Sequence, residues 1–205
     1  CNGVYRRAGK VAVSSPGMAD ILRARGVPEG KIEVLPNWAD EEHFAPRPRS
    51  SALARALSLH APTIVMYAGN LGEMQGLDTL VAAAGRLAHR DDILFALVGG
   101  GVAESRLRTD VERRGLRNVR FVPPQPFDRI GDVLALADVQ LVPLKDVPVL
   151  QATLPSKLQA NLAAGLPIIG MVRGDAADVI ARSGAGTAVH PGDAAALAQA
   201  VAEFA

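Results

Sequence analysis

The sequence predicts an α/β protein built on a doubly wound parallel sheet of about six strands. Two observations predict it. From residue 61 onward, apolar runs of strand length alternate with segments whose apolar residues recur at helical spacing. The longest runs are apolar throughout instead of alternating with polar residues, which is the pattern of strands covered by helices on both faces.

Taken in order, "KVAVSS" reads as a short strand and "SPGMADILRARG" as a helix, with Ser15 as its cap, Pro16 at its first position and Gly26 past its end. "KIEVLPN" is a second short strand, followed by the polar, proline-bearing stretch "WADEEHFAPRPRSS". Residues 46–60 are therefore expected to be a linker. One helix between two short strands is too little to fold alone, so residues 1–45 are expected to be the last elements of a neighbouring domain. Trp38, the only tryptophan, is expected to pack between domains.

The repeating part begins with "PTIVMYAG", whose helix carries Leu77, Leu80, Val81, Ala84, Leu87 and Ala88 on one face. "ILFALVGG" is the second strand, followed by a charged helix over residues 103–114. "NVRFVP" is the third, and Phe127, Ile130, Leu134 and Ala137 line the helix after it. "DVQLVPL" is the fourth. It leads to "TLPSKLQANLAAG", a short helix opened by Pro155, Ser156 and Lys157 and ended by Gly165. "PIIGMV" is the fifth strand, with a helix over 175–183. "GTAVHP" is the sixth, and Asp193 caps a last helix whose Leu197, Ala200, Val201 and Phe204 share a face.

Composition narrows the function. The chain has 205 residues, 49 % of them hydrophobic and 21 % charged, which is enough apolar material for a core. Twenty-two basic against 21 acidic residues give no electrostatic case for nucleic acid. A single cysteine excludes an internal disulfide framework and fits a reducing compartment. The four histidines are scattered, with no H-x-x-x-H or C-x-x-C spacing, so no metal site is expected. No G-x-S-x-G elbow marks a nucleophile. Six arginines between 106 and 120 read as a solvated helix face, and Arg173-Gly174-Asp175 as a loop of the fold. The chain begins with Cys1 and stops inside the helical run "AAALAQAVAEFA", so it is expected to be a piece of a longer protein.

Ligands of such sheets bind at the carboxyl ends of the strands. The first strand ends in "AGNLGEMQG", where Gly69, Gly72 and Gly76 permit close backbone approach; the second ends in Gly99-Gly100-Gly101. The latter lacks the third glycine of a dinucleotide fingerprint, since Ala103 and Glu104 follow. Lys157 raises a separate question. It stands in the first turn of its helix, where the macrodipole disfavours cations. It is either a solvated lysine beside an ordinary helix start or part of an anion site made with the helix N–H groups.

Several segments together resemble one family. "KIEVLPNWADEEHF", "YAGNLGEMQGLDTLV", "FALVGGG", "NVRFVPPQP", "ADVQLVPL" and "LPSKLQANLAAGLPII", in this order, are similar to the retaining glycosyltransferases of family 4, glycosyl transferase group 1. The resemblance implies the GT-B fold, two Rossmann-like domains across a cleft. Residues 61–205 would be the nucleotide-sugar donor-binding domain, and residues 1–45 the end of the N-terminal acceptor domain. It implies donor contacts from Gly69, Asn70, Leu71, Gly72 and Gln75, from Gly99, from Val122, Pro123 and Gln125, and from Leu154, Pro155, Ser156, Lys157 and Ala160. A sugar would pass from a nucleotide diphosphate, by preference UDP, to a lipid-linked or saccharide acceptor in bacterial surface polysaccharide synthesis. No metal or other cofactor is implied. Acceptor-activating residues would lie in the N-terminal domain, leaving this fragment inactive alone. The implied location is cytoplasmic, peripheral at the inner membrane face.

The chain also departs from the family. The arginine and lysine that contact the diphosphate in many members are Asn70 and Gln75 here, and the paired glutamates fall on Ala152 and Ala160. Lys157 is then the cation left for phosphate. Two rival readings follow, a GT-B-like sugar-nucleotide epimerase and a degenerate, non-catalytic binding module.

Overall fold

The apolar runs form the central strands of the protein in a computed structural model that describes residues 2–205. The chain opens with α1 (Asn2–Arg7), β1 (Val11–Val13), α2 (Pro16–Ala24), β2 (Ile32–Val34) and α3 (Ser51–Ala56). It continues through β3 (Thr63–Ala68), α4 (Leu77–Arg86), β4 (Ile93–Val98), α5 (Glu104–Arg113), β5 (Val119–Val122), α6 (Ile130–Leu134) and β6 (Val139–Pro143). The last elements are α7 (Pro148–Gln151), α8 (Ser156–Ala163), β7 (Ile168–Met171), α9 (Asp175–Ser183), β8 (Gly186–Val189) and α10 (Ala194–Phe204). β1 and β2 form a separate two-stranded sheet; β3 to β8 form one six-stranded sheet in the order β5-β4-β3-β6-β7-β8. Every pairing in it is parallel. The expected doubly wound α/β fold is the one observed.

The strand order reverses between β3 and β6, which places a crevice at the carboxyl ends of these two strands. β3 pairs with β4 along its whole length, Thr63 to Ala68, but with β6 only at Val65–Val139 and Met66–Gln140.

Alternate residues of each strand serve opposite faces. Val65, Tyr67, Phe95 and Leu97 pack under α4, α5 and α10 through Leu80, Val81, Leu107, Leu197 and Val201. Ile64, Met66, Leu94 and Ala96 pack on the other face against Val133 and Leu134 of α6 and Ala54 of α3. A third cluster joins β6 and β7 to α8 and α9 through Val142, Leu158, Ile168, Ala176 and Ile180. Both faces are covered, which accounts for strands that are apolar throughout. Asp193 caps α10 as expected, accepting from the amides of Ala195 and Ala196. Within α4, a Cβ built on Gly85 would meet only Leu116 Cδ2, at 3.8 Å. Gly85→Ala is therefore expected to stabilise the protein by about 0.5–1 kcal/mol, read as a rise in melting temperature.

Three expectations need correction. Residues 46–60, read as a linker, are not loose. Ser50 caps α3 by accepting from Leu53 N–H, Ala54 and Leu59 are buried in the core, and Arg47 and Arg49 pair with Asp132 and Asp138. Prolines 46 and 48 give the stretch a loop-like composition, yet a short helix follows them directly. The helix expected over Phe127 to Ala137 is a 3-10 turn, Phe127–Arg129, followed by the five residues of α6. The tighter turn rotates Phe127 off the core face, and it is 58 % exposed. Pro155 is the N-cap residue of α8 and not its first helical residue. Trp38, expected to pack between domains, is 89 % exposed among the described residues. Val11, Val13 and Ile32 are only partly covered, and Val34 is exposed. The arginines of α5 are ion-paired on its surface, Arg106 with Asp78, Arg108 with Glu104, and Arg113 and Arg114 with Asp110.

Candidate functional site

Three loops meet at the carboxyl edge of the sheet because their backbones interlock. Gly69 N–H donates to Val98 O and Gly99 N–H to Val122 O, each at 2.9 Å, so each strand's end is tied to the next. A Cβ on Gly99 (φ +135°) would lie 2.0 Å from Gly69 O, so only glycine lets the β3 and β4 loops approach this closely. Leu71 N–H donates to Gly100 O and Leu71 O accepts from Ala103 N–H, both at 2.9 Å, so Leu71 is fully buried as the anchor of its loop. Tyr67 Oη donates to Asn70 O at 2.6 Å and holds the tip. In the β5 loop, Gln125 Nε2 donates to Pro123 O at 2.9 Å.

The fourth contributor is α8. Its N-terminus has no side-chain cap, so first-turn N–H groups remain open at the crevice. Lys157 lies in that turn, half-buried, with Nζ 5.2 Å from the centre of the Tyr67 ring and Cε 3.4 Å from where a Gly69 Cβ would be. Among the described residues no carboxylate lies within 4.0 Å of its ammonium. Burial alone pushes its pKa below the ordinary lysine value. Burial likewise raises the Tyr67 phenol.

A cavity of about 460 Å³ opens in front of this lysine. Gly69, Asn70, Ser156, Lys157 and Ala160 line it. The other positions inferred from the sequence do not: Leu71, Gly72, Gln75, Gly99, Val122, Pro123, Gln125, Leu154 and Pro155 shape or support the loops around it. The far wall comes from residues that no motif in the sequence marks, namely Trp38, Asp40, Phe44, Phe127, Ile130 and Leu134. Phe127 stacks at a tilt on His43 (4.6 Å) and edge-on with Phe44 (5.9 Å). Asn161, on the floor, is 3 % exposed, while the buried side-chain atoms without a partner among the described residues are Gln75 Oε1, Asn118 Oδ1 and Gln140 Oε1. A polar residue four positions after Lys157, on a helix face otherwise turned to the core, was the available signal for Asn161.

Ala152 is buried outside the cavity. Its carbonyl accepts from Ser15 Oγ at 2.5 Å, and Asp175 Oδ2 accepts from Gly17 N–H at 2.7 Å. A Cβ on Gly17 would stand 2.9 Å from Ala152 Cβ. The start of α2 thus occupies the space that a larger side chain at 152 would need. No cluster of three or more histidine, cysteine or acidic residues suited to a metal occurs among the described residues, and no described helix is long and apolar enough to cross a membrane.

A cavity with an uncompensated lysine, open helix amides and an aromatic wall can hold an anion attached to a flat or ring-shaped group. Residues 62–205 match the family model described as glycosyl transferases group 1. A colanic acid biosynthesis glycosyl transferase of Escherichia coli K12 is 36 % identical over 159 residues, covering 76 % of this chain and 38 % of that protein. The D-inositol 3-phosphate glycosyltransferase of Nocardiopsis dassonvillei is 33 % identical over 153 residues, covering 68 % of this chain and 35 % of its own length. The chain therefore spans between a third and two-fifths of these two relatives. Among solved structures, Anabaena HepE in complex with UDP-glucose superposes with a TM-score of 0.82 at 20 % identity, over 98 % of this chain and 55 % of that one. The chain belongs to the group 1 glycosyl transferases, with the Rossmann-like sheet of a GT-B fold.

Proposed function

We propose that this chain is the donor-binding part of a retaining glycosyltransferase that takes a sugar from a nucleotide diphosphate. One observation carries the reading: Lys157, half-buried beside an uncapped helix N-terminus, has no carboxylate partner among the described residues and faces the cavity. Negative charge accumulates on the diphosphate as the sugar leaves, and a preorganised ammonium with helix amides stabilises that charge where water is scarce. Asn70 and Ser156 add neutral donors at the same rim. No step in this scheme asks the chain for a metal ligand.

Uridine diphosphate is the proposed donor nucleotide, and HepE, solved with UDP-glucose, supports it. The relatives in colanic acid biosynthesis support a lipid-linked or saccharide acceptor in surface polysaccharide synthesis. Residues 1–45 would belong to the acceptor side, with the acceptor-activating groups outside this chain and the work done at the cytoplasmic membrane face. A second reading, a degenerate binding module, draws on Ala152 and Ala160, which put methyl groups where the family resemblance expects carboxylates.

The test is to incubate the full-length protein with UDP-sugars, with and without lipid-linked acceptor. Release of UDP that depends on acceptor is the expected result. A changed sugar without acceptor would mean an epimerase, and calorimetric binding of UDP without any turnover would mean the module.

A further inference from the structure

The six arginines between 106 and 120 do not all behave alike. Those of α5 and its end are ion-paired, but Arg117 and Arg120 lie beyond that helix, and among the described residues no carboxylate stands within 4.0 Å of either. Both line a second cavity, of about 150 Å³, at the amino ends of β3, β4 and β5. It lies one strand length from the donor cavity, roughly 20 Å for the six residues of β3. Arg90 and Asp91 line it too. Asp92 holds Arg90 in a fork, at 2.7 and 2.6 Å, so the cavity keeps two uncommitted guanidinium groups against the single carboxylate of Asp91. Two further lining residues are built against local preference. Asn118 is 8 % exposed; its Nδ2 donates to Ala84 O at 2.9 Å, while Oδ1 has no partner among the described residues. A buried acceptor left unpaired is unfavourable, so this one calls for a donor from outside the chain. Ser58 is the one non-glycine residue at positive φ (+56°) among the described residues. It follows α3 where helices commonly end on glycine, and a serine there bears strain while bringing a hydroxyl to the cavity wall.

We propose that this cavity is a second ligand site, for a small phosphate ester whose alcohol carries a neighbouring free hydroxyl, as in a glycerol phosphate or a phosphoglycerol headgroup. Each part of that class answers a part of the wall. Arg117 and Arg120 present planar forks of N–H donors, the geometry that pairs with phosphate oxygens. The Ser58 hydroxyl adds a neutral donor to the same oxygens. An ionised phosphate only accepts hydrogen bonds, so it cannot satisfy Asn118 Oδ1; the ligand's hydroxyl donates to it. The volume is well below the roughly 300–1,000 Å³ of sites for drug-sized ligands, which excludes a nucleotide. No residue is shared with the donor cavity, so this site stands independently of the donor reading.

The experiment titrates the protein by calorimetry with glycerol 3-phosphate, inorganic phosphate and glycerol, and measures its retention on phosphatidylcholine vesicles with and without phosphatidylglycerol. Glycerol phosphate should bind roughly tenfold more tightly than inorganic phosphate, the worth of one net hydrogen bond, and glycerol alone should not bind. Arg117→Gln and Arg120→Gln should each weaken both phosphates by roughly tenfold or more. Ser58→Gly should weaken both by a smaller factor, with a melting temperature equal to or above the wild type, because glycine relieves the positive φ. Asn118→Leu should remove the preference for the ester; if the loss of its bond to Ala84 O unfolds that variant, the arginine and Ser58 variants carry the test. Lys157→Ala should change none of these values, which separates the site from the donor cavity. Binding of glycerol phosphate without vesicle retention assigns a free phosphate ester. Retention that requires phosphatidylglycerol and is lost in the arginine variants assigns a lipid headgroup. Phosphate binding that both arginine variants keep, or that Lys157→Ala abolishes, would overturn the proposal. So would equal affinity of the wild type for ester and inorganic phosphate, and so would binding of neither phosphate nor vesicles.

Discussion

Lys157→Ala is expected to weaken binding of a nucleoside diphosphate by roughly ten- to a hundredfold while leaving the free nucleoside nearly unaffected. A charge-assisted hydrogen bond contributes roughly 1.5–3 kcal/mol, or one to two decades in a binding constant. The ammonium sits over the Tyr67 ring with no carboxylate to satisfy it among the described residues, so a bound phosphate would give it a strong partner. Lys157→Arg should recover part of the loss, since the charge stays while the geometry changes. The ligand-free alanine variant should melt no lower than the wild type, because alanine favours the helix and removes a cation opposed to its dipole. The pH dependence follows from the lowered pKa. Diphosphate affinity is full below the folded-state pKa and falls as pH rises through it, earlier than an ordinary lysine would allow. Stability of the ligand-free protein moves the other way. The cost of the buried charge is present at neutral pH and is relieved as pH rises from the folded pKa towards the unfolded one, where the unfolded chain holds more protons. Equal loss for nucleoside and diphosphate, measured by calorimetry, would make Lys157 a structural residue.

Gly99→Ala should destabilise the protein by about 3–5 kcal/mol, combining backbone strain at positive φ with severe overpacking. The added methyl would lie 2.0 Å from Gly69 O, a backbone atom just past two strands that pair with each other along their whole length. Neither loop can step aside without breaking Gly69 N–H to Val98 O or Gly99 N–H to Val122 O. Chemical denaturation measures the loss. A change below about 1 kcal/mol would show that the loops move freely and that the interlock does not shape the cavity.

The strands and the crevice were legible in the sequence because they depend on local pattern. Runs such as "TIVMYAG" and the helical spacing of Leu77, Leu80, Val81 and Ala84 encode burial directly, and the loops holding Gly69, Gly99 and Lys157 follow from the direction of a parallel sheet. The missed parts depend on partners distant in the chain. Arg47 and Arg49 look like solvent-facing charges until Asp132 and Asp138 are brought beside them, 85 and 89 residues away. Phe127 fits a helical stripe, yet a 3-10 turn carries it into the cavity wall. Asn161 is one of four polar residues in α8, and its place on the cavity floor appears only in three dimensions. Ala152 reads as a lost carboxylate, whereas the structure gives it a steric reason in the approach of Gly17.

The short ladder between β3 and β6 has a mechanical consequence. Two residue pairs are all that join the β5-β4-β3 half of the sheet to the β6-β7-β8 half by strand pairing. The strand ladder is shortest at this seam, although one core runs beneath both sides, and the cavity takes Gly69 and Asn70 from one side and Lys157 and Asn161 from the other. A molecule held by both would act as a rivet across the seam. Its binding would resist any parting of the two sides along that seam.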